Sequence, residues 1–419
     1  MLMRIDRPPH DRARLAMLVG VLFTAFVANA GLSLSYATLI NTLAQFQAAS
    51  TRTALLLNMW ALSLIFFSHR YPDLLRRLGT RVCAMLALLA SGLAITLLAV
   101  PGAFWLWLIA ETLQGAAFGL FYVAAETWIN GAYEYAVRNR INALYLSVQS
   151  LGFATGPIIV NVGHLEPSGF FLVAAAAMCV AMIPAAYFLP NDRHASVGQA
   201  SVSLRWFLEI GRRLPWVIGL GVLTGALDNS AWSLLTPYLR AAGHSDQLSL
   251  FALTVFVWGQ VVLLLPLGYL ADRIGERRLM RMLSLYIVLY SLTLTRAELL
   301  PPGVLLALTF LFGPACFSIY GAALALAGKT VGREQLPFAS ASLVTGWCLG
   351  GFLGALMIGS GMDFLDARTF PVALLALAAG VTLVVARMMP IAGGALPAAA
   401  GDSPSAADSL REQPPTRAA

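Results

Sequence analysis

Charge is what this sequence has least of. Asp, Glu, Lys and Arg make up 11% of its 419 residues, while 59% are hydrophobic. A soluble globular chain carries about a quarter charged residues, so a water-soluble surface cannot be built from this composition. Lysine is nearly absent: 26 of the 27 basic residues are arginine, and Lys329 is the exception. The four cysteines, Cys83, Cys179, Cys316 and Cys348, each fall inside an apolar run. Their spacing forms neither a disulfide framework nor a zinc site. The five histidines, His10, His69, His164, His194 and His244, lie at or beyond the ends of apolar runs and assemble with no acid or cysteine. A hydrolytic or metal centre is therefore not expected; the chain reads as a non-enzyme without a cofactor. Gly328-Lys329-Thr330 resembles the end of a phosphate loop, but Ala323 occupies the earlier glycine position and the segment ends an apolar helix. With no ATP site, any work must be driven by a gradient.

What is present is a series of long apolar runs, each able to cross a hydrocarbon core of roughly 30 Å as a helix. They predict twelve spans, at 15–38, 53–68, 82–101, 104–129, 141–163, 169–189, 215–239, 247–270, 280–295, 302–327, 338–361 and 369–387. The first follows a charged leader, 1–14, but is too long for the core of a signal peptide and is read as a span. If the amino terminus is cytoplasmic, 23 of the 27 basic residues fall on the inside, leaving only Arg52, Arg240, Arg296 and Arg368 outside. This positive-inside bias places both termini in the cytoplasm. The net charge of +7 thus reports topology and does not point to nucleic acid.

The longest inside connection, 190–214, divides the spans six and six, predicting bundles at 15–189 and 215–389 and a disordered tail at 390–419. The halves match in register. Gly115 with Gly313, Tyr122 with Tyr320, Gly152 with Gly350 and Gly156 with Gly354 are each 198 residues apart, and Gly20 pairs with Gly219. Parallel repeats of this kind describe transporters whose halves rock about a central site.

Between spans eight and nine the chain reads Gly268-Tyr-Leu-Ala-Asp272-Arg273-Ile274-Gly275-Glu276-Arg277-Arg278. This resembles the loop signature of the major facilitator superfamily, G-x-L-x-D-R-x-G-R-R. The first-half copy, Arg70-Tyr-Pro72-Asp73-Leu-Leu-Arg76-Arg77-Leu-Gly79, is degraded: Arg76 stands where the acid should be. Span five carries Gly152, Gly156 and Pro157, similar to a motif of proton-driven exporters in that superfamily, with Val160 and Asn161 in place of its last two glycines. Small residues at this spacing equally serve close helix packing. Glu111-Thr-Leu-Gln114-Gly115 is similar to an R-x-x-Q-G element with its arginine replaced. Glu126-Thr127-Trp128-Ile129-Asn130 resembles an E-[ST]-W-L-N element of a poorly characterised bacterial branch.

The resemblance implies an all-α fold of two six-helix bundles in a bacterial inner membrane, acting as a monomer on a small molecule, with protons as the coupling ion. It implies a cytoplasmic gate at Asp272, Arg273, Gly275 and Arg277, with Glu126, Arg138 and Arg140 as its first-half side. It also implies a central cavity walled by spans one, four, seven and ten, making Asn29, Tyr36, Gln114, Tyr122, Trp232 and Tyr320 candidate lining residues. Two carboxylates inside the membrane stand out. Glu111 lies roughly 10 Å and Asp228 roughly 16 Å from the outer end of its span, at 1.5 Å per residue. A charge in hydrocarbon costs at least about 2.5 to 3.5 kcal/mol, so such groups face a cavity or a partner. Both are candidates for the coupling proton or a cationic substrate; the alternative is a hydrogen bond that holds helices together. Three functions stay open: proton-driven export of a lipophilic or cationic compound, uptake of a nutrient, and a receptor or scaffold on a transporter fold.

Overall fold

A computed structural model of the chain describes residues 9–46, 48–132, 135–189, 204–330 and 336–388. The described residues form fourteen α-helices: α1 (Pro9–Gln45), α2 (Ser50–Phe67), α3 (Tyr71–Leu78), α4 (Thr80–Leu98), α5 (Phe104–Ala132), α6 (Tyr135–Val162), α7 (Pro167–Phe188), α8 (Leu204–Arg213), α9 (Pro215–Ala241), α10 (Asp246–Ile274), α11 (Glu276–Leu294), α12 (Pro302–Thr330), α13 (Leu336–Phe364) and α14 (Thr369–Arg387). Two are short and amphipathic. α3 buries Tyr71 and Leu75 beneath exposed arginines, and α8 buries Ile210 and pairs Glu209 with Arg213 at 2.5 Å. The tail at 390–419, the leader before residue 9 and residues 190–203 of the connection lie outside the described residues.

The remaining twelve helices are long. Among the described residues, nine meet the length and hydropathy of a membrane span. α9 and α11 fall short because of polar stretches: α11 begins with Glu276, Arg277, Arg278 and Arg281, and α9 holds Asp228-Asn229-Ser230 at its middle. Most side chains at the start of α6 lie outside the described residues. The outward surface is apolar, with Met357 and Trp105 about three-quarters exposed at 73% and 74%. That is the surface expected where the solvent is lipid.

The long helices associate in two groups. α1 packs on α6 and α7, and α4 on α5 and α7, with α2 on α5; in the second group α9 packs on α13 and α14, α12 on α10, and α11 on α12 and α14. The groups meet through α2 with α13 and α6 with α10. Glycine decides how closely. A Cβ on Gly152 would strike the Phe26 carbonyl of α1, and one on Gly350 would strike the Val222 carbonyl of α9. Gly115 lies on the Trp60 backbone, and Gly313 on that of Phe256. The same approach therefore recurs in both groups at the same register.

Two glycines end helices at corresponding points. Gly79 between α3 and α4, and Gly275 between α10 and α11, both have φ of +88°, a conformation that costs a side-chain-bearing residue about 1–2 kcal/mol. The loop turn is thus kept in both halves, although the first-half signature around it is degraded.

Candidate functional site: a central cavity

A cavity of about 390 Å³ lies between the two groups, walled by α1, α2, α5, α6, α9, α10, α12 and α13. One end is closed. There the Asp363 carboxylate, at the end of α13, accepts hydrogen bonds from the backbone N–H groups of Ser50 and Thr51 at 2.8 Å each, and from the Thr51 hydroxyl at 2.6 Å. An acid at the first turn of α2 satisfies donors the helix itself leaves unpaired and complements its dipole. Asn161 Nδ2 donates to Thr254 Oγ1 at 2.8 Å at the same end. We call this the latched face; the opposite face bears Arg70, Arg76, Arg77, Arg273 and Arg278. From Thr254 the α10 wall descends through Val257, Gln260 and Leu264, and from Asn161 the α6 wall descends through Phe153 and Gln149. The cavity therefore begins beneath the latch and extends toward the arginine face.

Aromatic rings form its broad surfaces. Trp60 and Trp347 approach to 5.7 Å between ring centroids across the two groups, and Phe153 and Trp232 to 5.1 Å. Between the rings lie amides. Tyr122 donates to Asn29 Oδ1 at 2.7 Å, Asn58 Nδ2 to Ser233 Oγ at 3.3 Å, and Gln114 Nε2 to Ser35 Oγ at 3.2 Å; Gln114 Oε1 has no partner. One carboxyl is in the wall, that of Asp228, whose Oδ1 accepts from Gln260 Nε2 at 3.1 Å. No lysine or arginine is among the lining residues.

Of the expected wall, the structure brings together Asn29, Tyr36, Gln114, Tyr122, Asp228 and Trp232. Tyr320 is not in it: its ring packs 6.3 Å from Trp347, which takes the place facing the cavity. Glu111 is also displaced from the wall. It is fully buried, and its one polar neighbour among the described residues is the hydroxyl of Tyr36, which does line the cavity; the pair is close enough to interact but falls short of full hydrogen-bond geometry. Sequence reading missed Trp60, Asn58, Gln149, Asn229, Gln260 and Trp347. The amides among them were visible as isolated polar residues inside apolar runs, but nothing in the chain says which side of a helix faces the cavity.

At the arginine face, Asp272 is exposed and forms no ion pair among the described residues. Arg273 lies over the Tyr269 ring at 4.5 Å and donates to its hydroxyl. One ion pair of this loop joins Glu276 to Lys329, and so α11 to the end of α12. Glu126 is half-buried near Tyr122 and Tyr145, and Arg277 is half-buried; the side chains of Arg138 and Arg140 lie outside the described residues. In the exporter-like motif Gly156 seats on Ser33 and Leu34 of α1, as Gly354 seats on Ala226 of α9.

The sequence profile of the Major Facilitator Superfamily matches residues 21–355 and 217–412. The chain belongs to this superfamily. Its members with similar sequences include an uncharacterized MFS-type transporter of Yersinia enterocolitica, 25% identical over 307 residues, 73% of this chain and 76% of that protein. Another is the uncharacterized MFS-type transporter YcaD of Escherichia fergusonii, 22% identical over 281 residues, 67% of this chain and 72% of that one. Among solved structures, the nucleoside transporter NupG superimposes with a TM-score of 0.73 at 12% identity, covering 88% of this chain and 97% of that chain. The Escherichia coli fucose:proton symporter FucP gives a TM-score of 0.57 at 14% identity, covering 88% and 97%. At these identities the likeness is one of fold. This superfamily member is thus an all-helical, multi-pass membrane protein of a transporter family.

Proposed function

We propose that this protein is a secondary transporter of the inner membrane that exchanges protons for a small planar cationic or lipophilic compound, exporting it from the cytoplasm. The observation that carries the reading is the composition of the cavity: aromatic faces, amides and one carboxylate, Asp228, with no basic residue in the wall. Such a wall offers rings for stacking and cation–π contact and a single charge to neutralise a cation. Anionic substrates find no partner in it.

One carboxylate can hold a proton or a cation, but not both, and this mutual exclusion is the simplest basis for exchange. With the arginine face taken as cytoplasmic, the latched conformer is open inward. Asp228 releases its proton to the cytoplasm and takes the cation. When the halves, 15–189 and 215–389, rock about the site, the latch opens and an external proton displaces the cargo. Glu111, behind Tyr36, serves as a second proton-holding group. α6, α9 and α11 complete twelve spans, their polar stretches being tolerated because they face the cavity or the membrane surface.

The test is ethidium transport by everted vesicles. Ethidium-dependent proton release, lost in Asp228→Asn and reduced in Glu111→Gln, is expected; proton-driven flux unchanged in both variants removes the reading. A second reading, proton-coupled uptake of a neutral solute, is favoured by the amide content of the cavity and by the fold shared with a nucleoside transporter and a fucose:proton symporter. In proteoliposomes it predicts proton entry together with solute. No flux for any ligand favours a receptor.

A further inference from the structure

A second cavity, of about 700 Å³, lies away from the transport site, on the flank of the first helix group. It runs along α2 from Met59 and Leu62 through Phe66 to Arg70, and Arg77 of α3 completes its lower end. From Met59 to Arg70 is eleven residues, roughly 16 Å of helix, close to half of a hydrocarbon core of roughly 30 Å. Polarity changes along that length. The upper part is Met59, Leu62, Phe66 and Phe67 with the uncharged hydroxyls of Ser63 and Thr112; every charge is in the lower rim, His69, Arg70, Asp73 and Arg77. Phe66 is 64% exposed, so the groove opens sideways to lipid.

The rim carries net positive charge, Arg70 and Arg77 against one acid, Asp73, whose carboxylate feels both of them through space. Its one acid, Asp73, is taken by Arg76, outside the groove. Arg70 donates only to the His69 ring, at 3.0 Å, and neither Arg70 nor Arg77 has a carboxylate within ion-pair distance among the described residues. The second group is built differently at the corresponding point. α10 runs unbroken to Ile274, whereas α2 stops at Phe67, turns through Ser68–Arg70 and restarts as α3 with Pro72 in its first turn. The loop that has lost its family signature is the loop that builds this rim.

We propose that this groove binds an anionic phospholipid of the cytoplasmic leaflet, one acyl chain lying along Met59, Leu62 and Phe66 and the phosphate held by Arg70 and Arg77. A guanidinium pair suits a phosphate diester through paired N–H donors, and basic pockets at the cytoplasmic side of helix bundles are sites of this kind. The leaflet follows from the orientation taken above; the groove and its charge do not depend on what the protein transports.

The experiment is native mass spectrometry of the purified full chain, equilibrated in detergent with phosphatidylglycerol or with phosphatidylcholine of the same acyl chains. Phosphatidylglycerol is expected to be retained in preference, and retention to fall about tenfold in Arg70→Gln/Arg77→Gln. Arg278→Gln/Arg387→Gln removes the same charge from exposed positions elsewhere and should retain the lipid. Leu62→Trp keeps every charge but fills the apolar part, so it too should lose the lipid; this arm tests the groove even if the double arginine variant is not recovered. Equal retention of the two lipids overturns the proposal, as does an equal loss in the Arg278 and Arg387 control. Competition by glycerol phosphate as effective as that of whole lipid also overturns it, by reducing the site to a headgroup contact.

Discussion

Asp228 and Glu111 show how one functional group, the carboxyl, takes two positions in one membrane. Asp228 reaches the cavity and is met by the Gln260 amide; Glu111 is buried behind Tyr36, whose hydroxyl is its one polar neighbour and is poorly aligned with it. A buried polar group without a well-formed hydrogen bond costs about 1–3 kcal/mol, so Glu111→Met, which removes both oxygens, should raise thermal stability or leave it unchanged in detergent melts, while slowing transport. A fall in melting temperature would show that Glu111 has a structural partner. The tyrosines divide in the same way. Tyr122→Phe removes the hydroxyl that orients Asn29 in the wall and should weaken substrate affinity about fivefold, from a hydrogen bond of about 1 kcal/mol. Tyr320→Phe, a step behind Trp347, should leave flux unaltered. Sequence register made Tyr122 and Tyr320 equivalents, and only the packing separates them.

At the scale of elements, helix contacts rest on glycine. Gly156→Leu should destabilise by about 1–3 kcal/mol through overpacking against α1, and Gly354→Leu should do the same against α9. Gly268, the first glycine of the loop signature, has open space where a Cβ would lie, so Gly268→Ala should leave the melting temperature unchanged. Differential scanning fluorimetry reads all three. The pair that ties α11 to α12 gives a pH expectation. The Lys329 ammonium, hydrogen-bonded to Glu276, holds its carboxyl below the usual carboxylate range. With the folded pKa depressed, this contribution is present above the unfolded value of about 4.3 and is lost as pH falls through the folded one. As a surface pair it contributes at most about 1 kcal/mol. Lys329→Met should therefore melt close to the parent at neutral pH and lose less stability than the parent on acidification.

For the whole molecule, the contact to test is the latch. Asp363 joins the end of α13 to the start of α2 by charge-assisted bonds, each stronger than a neutral one. Its removal should shift the balance between conformers by about 1–3 kcal/mol, a factor of roughly 5 to 150. Spin labels at Phe46 and Leu365, both exposed at this end, should report a longer separation in Asp363→Ala than in the parent; an unchanged distance distribution would show that the latch does not govern opening. Nothing in the sequence singles out Asp363, since its role depends on a partner more than 300 residues away.

The chain by itself determined that the protein belongs in a membrane, that it is helical, that its two halves share a register and that Asp228 and Glu111 are costly enough to need a reason. These follow from composition, run length and spacing, which are local and additive along the chain. The tertiary structure decided what lies between the halves. Which side of α5 turns inward puts Gln114 in the wall and Glu111 behind it. The same packing replaces Tyr320 by Trp347 and lets an acid on α13 close the far end of α2. Those outcomes depend on rotation about each helix axis and on approach between helices distant in sequence, and glycine contacts such as Gly156 on Ser33 set both.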